Sequence, residues 1–295
     1  MTEKNMQEIT GHTRMICLLG SPVAHSLSPQ MHNLAFETLG LDYRYLAFDV
    51  QPAQLPTVVE AFRAMKVRGM NLTMPLKNDI VPLCDRLSPA AEISGAVNTV
   101  VFEDDGSISG HTTDGAGFLR ALQEEHIDWK GKKLTIFGSG GAGTAILVQA
   151  ALDGAAEISV FSRFSSRFID RTRRVVQQLN ERTGCRVSLY DYEDSRIRQE
   201  LGTSALLVNA SNVGMAPHTE GCLVKEKSWL PEGLTVTDVI YNPRETRLLQ
   251  MAREQGLKTM NGMYMLLYQG AESFRLWTGR EMPAELVKEK YFANV

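Results

Sequence analysis

The sequence predicts an α/β protein of two domains, each built on a mostly parallel sheet with helices on its faces. Short β-rich runs alternate along the whole chain with longer segments whose apolar residues recur near every 3.6 positions. The alternation comes in two successive series, separated near residues 115–133 by a helical stretch and the charged turn WKGKK. At 295 residues the chain also exceeds the roughly 100–200 of an ordinary domain, so two cores are expected.

The first series opens with MICLLG (15–20), a continuous apolar run expected of a strand buried on both faces. MHNLAFETLG then has helical spacing, YRYLAFDV (43–50) reads as a strand, LPTVVEAFRAM as a helix, and RGMNLTM (68–74) and VNTVVF (97–102) as strands. The turn Asp104-Asp105-Gly106 folds VNTVVF back on SISGHT as a hairpin, which makes one strand antiparallel. A helix from Gly115 to about Glu125 leads into the second series: LTIFG (134–138), EISVFS (157–162), VSLY (187–190), LLVNA (206–210) and TVTDVI (235–240). Helices from about Met263 to Tyr291 follow the completed second sheet and are expected to return to the first domain. The predicted domains are therefore 1–114 completed by 263–295, and 115–262.

Composition narrows the partners. Hydrophobic residues make up 43% and charged residues 22%, as in an ordinary folded protein. A net charge of -3 with acids and bases interspersed leaves no basic stripe, so no nucleic-acid partner is expected. The apolar runs fall well short of the ~20 residues of a membrane helix, and MTEKNMQEITGHTR lacks the apolar stretch of a secretory signal. A cytoplasmic location and no membrane partner follow as expectations. Cys17, Cys84, Cys185 and Cys222 form no CxxC pair, so neither a metal site nor a disulfide framework is expected. A small-molecule partner remains, with the choice between monomer and homodimer open.

The stretch LTIFGSGGAGTAILVQAAL points to one class of small molecule. Gly138, Gly140 and Gly143 fit G-x-G-x-x-G between a strand and a helix, the context that motif requires. A tight turn and a bare backbone through Gly140, Gly141 and Ala142 let a pyrophosphate approach the N–H groups at a helix N-terminus, where the peptide dipoles favour negative charge. The competing reading is a glycine turn chosen for packing alone. The motif makes the second domain a Rossmann-type NAD(P)-binding domain. At the tip of its second strand, where a carboxylate would hold the ribose 2′-OH of NAD, stands VFSRFSSRF. Ser162, Arg163, Ser165, Ser166 and Arg167 can instead surround a 2′-phosphate. NADP is favoured; NAD is possible if these arginines are only a solvated helix start.

The first domain carries polar groups that folding alone does not explain. Ser26 and Ser28 lie in HSLSPQMHN, Asn71, Thr73 and Lys77 surround Pro75, Asn98 lies in GAVNT, and Asp114 in HTTDG. Open α/β sheets bind ligands at such strand ends. Singly, Lys77 reads as a surface lysine after a proline turn and Asp114 as a helix N-cap.

Together SLSP, N-x-T-x-P-x-K, GAVNT, TDG, GSGGAG, NASNVGM and the final M-L-x-x-Q-G, in order from about residue 15 to 280, resemble the shikimate dehydrogenase family. YRYLAFDV, the YNP after the last strand and AESFRLWTGREMP are more similar to its quinate/shikimate branch. The resemblance implies reversible hydride transfer between a nicotinamide and the C3 carbinol of shikimate, with quinate as a further substrate, in the chorismate pathway of aromatic amino acid biosynthesis. It implies a catalytic dyad of Lys77 and Asp114, Ser26 and Ser28 on the substrate carboxylate, and Thr73 and Asn98 on ring hydroxyls. Gln269 would reach in from the returning helix, Tyr241 would close the side of the pocket, and Gly262 would lie near the nicotinamide. Tyr45 would either touch substrate or pack, and His25 and His32 read as structural. The chain departs from the family pattern at Ser162-Arg163-Phe164, where Asn-Arg-Thr is typical and where Phe164 is expected to stack on adenine. It departs again at Tyr264, where glycine is common. A dehydrogenase for a related acid and a non-catalytic sensor are the alternatives; the sensor predicts a damaged dyad, whereas Lys77 and Asp114 are both present.

Overall fold

The structure, a computed structural model, describes residues 8–292 and divides the chain into two compact units. One holds the chain up to Thr113 together with the chain from Leu267 on; the other is Asp114–Leu266.

In the first unit the apolar runs become β1 (Arg14–Gly20), β2 (Tyr43–Asp49), β3 (Gly69–Leu72), β5 (Thr99–Phe102) and β6 (Ile108–His111). The helical spacings become α1 (Ser28–Leu39) and α2 (Leu55–Ala64). Pro29 occupies the first turn of α1 and Gly40, left-handed at φ 63°, ends it. Two short elements carry no periodic signal: β4 (Arg86–Leu87) and α3 (Pro89–Ser94), the latter capped by the Ser88 hydroxyl accepting from the Ala91 N–H at 3.3 Å. The sheet runs β2-β1-β3-β5-β6-β4. β5 alone opposes its neighbours, and the 104–106 turn pairs Phe102 with Ile108 and Thr99 with His111. Cys17, Leu19, Val59, Met70, Leu72 and Val100 form part of its core.

From Leu267 on, α9 (Met263–Thr278) and then α10 (Ala284–Tyr291) belong to this unit. Trp277 is buried, and its indole N–H donates to the Val100 carbonyl at 2.9 Å. Gly69 makes that approach possible: a Cβ there would lie 2.2 Å from the indole nitrogen.

The second unit begins with α4 (Asp114–Glu124) and alternates strictly: β7 (Lys133–Phe137), α5 (Gly141–Leu152), β8 (Glu157–Phe161), α6 (Ile169–Arg182), β9 (Arg186–Tyr190), α7 (Asp194–Leu201) and β10 (Leu206–Asn209). β11 (Thr235–Asp238), α8 (Arg247–Glu254) and β12 (Thr259–Met260) complete it. The order β12-β11-β10-β7-β8-β9 is parallel throughout, and the chain reverses its direction of travel between β7 and β10. That switch point is where a doubly wound sheet leaves a crevice. Among the described residues no helix is long and apolar enough to cross a membrane, and no group of His, Cys, Asp and Glu could hold a metal ion.

Candidate active site

A cleft of about 1280 Å³ opens at the C-terminal ends of β7 to β11 in the second unit. Its floor is the glycine turn. Gly138 is left-handed at φ 96°, and a Cβ on Gly143 would lie 2.1 Å from the Gly138 carbonyl oxygen, so both positions need glycine to close the turn. At Gly140 and Gly141 a Cβ would meet nothing within 4 Å. The backbone there is bare toward open space, and no side chain caps the start of α5. Uncapped N–H groups at a helix N-terminus beside a bare backbone fit a pyrophosphate. Ala142 lies in the first turn of the same helix.

Beyond β8, Ser162, Arg163, Ser165, Ser166 and Arg167 all line the cleft. The buried Ser162 hydroxyl accepts from Ser139 Oγ at 2.7 Å, and Ser139 accepts from Thr172 at 2.9 Å, which locks the glycine turn to α6. Phe164 departs from expectation: it is not on the cleft wall but lies by Arg173, whose guanidinium is 5.5 Å from its ring. The aromatics on this side of the cleft are Phe168, covered by the Arg167 guanidinium at 4.6 Å, and Tyr192, packed near Phe137 and Phe161.

Tyr241 lines the cleft from the loop after β11. Gly262 is buried and has a packing role of its own: a Cβ would lie 1.9 Å from the Val239 carbonyl oxygen, so only glycine allows this backbone to pass. Tyr264 is half-buried at the start of α9, and Asp114 stands in the first turn of α4. Under the Val239–Asn242 wall lies Asp238, fully buried, with its carboxyl pushed up by burial to about 6.

In the first unit, one buried network joins several predicted residues. Tyr45, wholly buried, donates to Asn71 Oδ1 at 2.7 Å and also hydrogen-bonds Ser28. Asn71 Nδ2 reaches the Asn98 carbonyl at 3.0 Å, Thr99 Oγ1 at 3.0 Å and Ser273 Oγ at 3.1 Å. Asn98 Oδ1 accepts from the Thr113 N–H at 2.8 Å, while its Nδ2 donates to the Thr113 hydroxyl at 3.0 Å. Ser273 Oγ donates to the Gln269 carbonyl at 3.0 Å. Ser28, Asn98 and the turn bearing Gln269 are thus tied together, and Tyr45 packs rather than facing solvent. Ser26 is half-buried, and its Oγ accepts from the Ser28 N–H at 3.2 Å.

Thr73 and Lys77 follow β3. The Thr73 methyl sits where Gly20 leaves room at the end of β1; a Cβ on Gly20 would lie 2.2 Å from it. Lys77 is half-buried, and its carbonyl accepts from the Val97 N–H at 2.8 Å. His25 is exposed, whereas His32 stacks on Tyr45 at 4.4 Å with both ring nitrogens buried and without partners. Burial pushes its pKa down to about 3.

A family model for the shikimate dehydrogenase substrate binding domain matches residues 18–100, and one for the shikimate 5'-dehydrogenase C-terminal domain matches 262–290. The shikimate dehydrogenase (NADP(+)) of Listeria monocytogenes serotype 4b (strain F2365) is 50% identical over 99% of this chain and 100% of its own. The chain belongs to the shikimate dehydrogenase family. A counterpart in Streptococcus uberis is 45% identical over 97% of this chain and 98% of its own. Among solved structures, the shikimate 5-dehydrogenase of Listeria monocytogenes in complex with shikimate and NAD superposes with a TM-score of 0.93 at 50% identity, covering 97% of this chain and 99% of that one. The quinate dehydrogenase of Corynebacterium glutamicum in complex with NAD gives 0.82 at 30% identity, covering 94% and 98%.

Several residues of the site carried no signal in the sequence of this shikimate dehydrogenase family member. Ser273 is one serine on a helix, and only its meeting with Asn71, Thr99 and Thr113 gives it meaning. Tyr192 and Phe168 stand outside any spaced motif. Asp238 stands inside TVTDVI as the last residue of β11, and a lone acid in a buried strand run could have marked it.

Proposed function

We propose that the enzyme catalyses the reversible, NADP-dependent oxidation of shikimate to 3-dehydroshikimate, with Lys77 and Asp114 moving the proton of the reacting hydroxyl. The observation that carries this reading is full-length identity of 50% to a shikimate dehydrogenase (NADP(+)). The arginine-lined cleft with no acid at its ribose position supports the choice of NADP.

Bound NADP supplies the hydride acceptor. Arg163 and Arg167, with Ser165 and Ser166, hold its 2′-phosphate; the bare backbone at Gly140 and Gly141 admits its pyrophosphate. In the first unit Ser26 and Ser28 donate to the substrate carboxylate. Neutral donors orient an anion without a fixed counter-charge, and the Ser28 hydroxyl, which donates to the Tyr45 oxygen, turns to the carboxylate when substrate binds. Thr73, Asn98 and Gln269 hold ring hydroxyls, and Tyr241 closes the side of the pocket. Lys77 takes the hydroxyl proton as hydride leaves the carbinol carbon, and returns it in the reverse direction; Asp114 orients the ammonium. Asn98 is itself held by the Thr113 N–H, which donates to its Oδ1. Likeness to a quinate dehydrogenase supports quinate as a second substrate. Four cysteines without disulfides suit a reducing cytoplasm.

The test is Lys77→Ala, assayed for shikimate oxidation beside calorimetric titration of NADP. The turnover number falls by about 10²–10⁴-fold, while the NADP dissociation constant stays within about twofold. Turnover within a few-fold of the unmodified enzyme would refute the assignment.

A further inference from the structure

We propose that Asp238 is a positioning residue for the cofactor site, its buried carboxylate tying together the two loops, 211–216 and 239–246, that wall the dinucleotide cleft. The inference rests on the reading of that cleft as the NADP site.

Asp238 and Asn209 end the neighbouring strands β11 and β10 and are direct register partners. The carboxylate is fully buried and accepts three hydrogen bonds from three parts of the chain. Oδ2 accepts from Asn209 Nδ2 at 3.0 Å and from Thr246 Oγ1 at 2.9 Å, and Oδ1 accepts from the Ile240 N–H at 2.9 Å. Each donor governs a piece of the wall. Asn209 Oδ1 takes the Ser211 N–H at 3.2 Å and the Ser211 hydroxyl at 2.6 Å, and its Nδ2 also reaches the Val213 carbonyl at 3.2 Å. Ile240 is on the wall itself. Thr246 caps α8, accepting from the Leu249 N–H at 3.4 Å. The two loops meet once more where the Ala216 N–H donates to the Asn242 carbonyl at 3.2 Å.

An ionised carboxylate suits this place because it only accepts. The Ser211 donors fix the orientation of the Asn209 amide, so its Nδ2 must face Asp238. An asparagine or a protonated acid at 238 would turn a donor toward one of these three groups. Among the described residues no cation pairs with the carboxylate, and a buried charge without a counter-ion is costly. A fold that keeps such a group one strand from the switch point gains rigidity in the wall that the cofactor meets. The titratable group facing it is the Cys222 thiol, which also feels Arg247 on α8.

The test compares Asp238→Asn with the unmodified enzyme by calorimetric titration of NADP from pH 5.5 to 8, with amide exchange of Ile240 in the free protein. In the variant the NADP dissociation constant rises about tenfold at pH 7.5 and the Ile240 amide exchanges faster. The 2′-phosphate itself titrates near 6, so the readout is the additional weakening below pH 6 that the unmodified enzyme shows and the variant lacks. Thr246→Val, which keeps the carboxylate but removes one donor, also weakens NADP, and Thr246→Ser restores it; this pair decides the matter should the asparagine variant not fold. NADP bound equally well by these variants and the unmodified enzyme would overturn the proposal. Failure of the unmodified enzyme to bind NADP would overturn the reading of the cleft instead.

Discussion

Two single-methyl substitutions in the glycine turn separate its folding role from its binding role. At Gly143 an added Cβ would lie 2.1 Å from a backbone oxygen, against an ordinary contact of 3.4 Å or more, so Gly143→Ala forces the turn or α5 to move by over an ångström. Overpacking of this kind costs about 1–3 kcal/mol or more, and the unfolding temperature of the variant falls. At Gly141 the same methyl meets nothing within 4 Å. Gly141 begins α5, where alanine loses less chain entropy, so Gly141→Ala leaves stability unchanged or raises it by up to about 1 kcal/mol. Its methyl nevertheless occupies the space through which a pyrophosphate must approach. Displacing that anion from one charge-assisted hydrogen bond costs about 1.5–3 kcal/mol, a 10- to 100-fold loss in affinity. Calorimetric titration of NADP and thermal unfolding of both variants provide the assay. Gly141→Ala protein that is fully stable and binds NADP within twofold of the unmodified enzyme would refute the placement of the pyrophosphate.

Arg163→Ala together with Arg167→Ala raises the NADP dissociation constant by about 10- to 100-fold and leaves that for NAD nearly unchanged; equal losses for both would show that these side chains do not read the 2′-phosphate. His32 stays neutral in the folded protein to about pH 3 but protonates near 6.5 once unfolded. Because its folded pKa is depressed, its contribution is fully present above 6.5 and is lost as pH falls toward 3, by up to about 1.4 kcal/mol per pH unit. His32→Phe, in which no hydrogen bond is lost, flattens that part of the profile in denaturant unfolding from pH 4 to 7; an unchanged slope would place the acid sensitivity elsewhere.

The strands were legible where burial on both faces writes a continuous apolar run, as in MICLLG and LTIFG. The two-residue strands β4 and β12 were not, because elements so short leave no period to detect. The glycine turn was legible because its chemistry is local: strand, turn and helix lie within one contiguous stretch. Residues whose role depends on distant partners were not. Tyr45 could be read as substrate contact or packing until its hydroxyl met Asn71, 26 positions away. Asp238 meets Asn209 across 29 positions, a pairing set by strand order rather than by spacing. Phe164 and Phe168 show the limit of reading aromatic residues near an irregular turn: both flank the arginines, and the backbone path decides which ring lines the cleft.

The most direct measurement of the central claim is the appearance of reduced nicotinamide with purified enzyme, crossing shikimate and quinate with NADP and NAD. The highest kcat/KM is expected for shikimate with NADP, and Lys77→Ala loses that activity. Folded enzyme that binds NADP yet oxidises neither acid would contradict the claim.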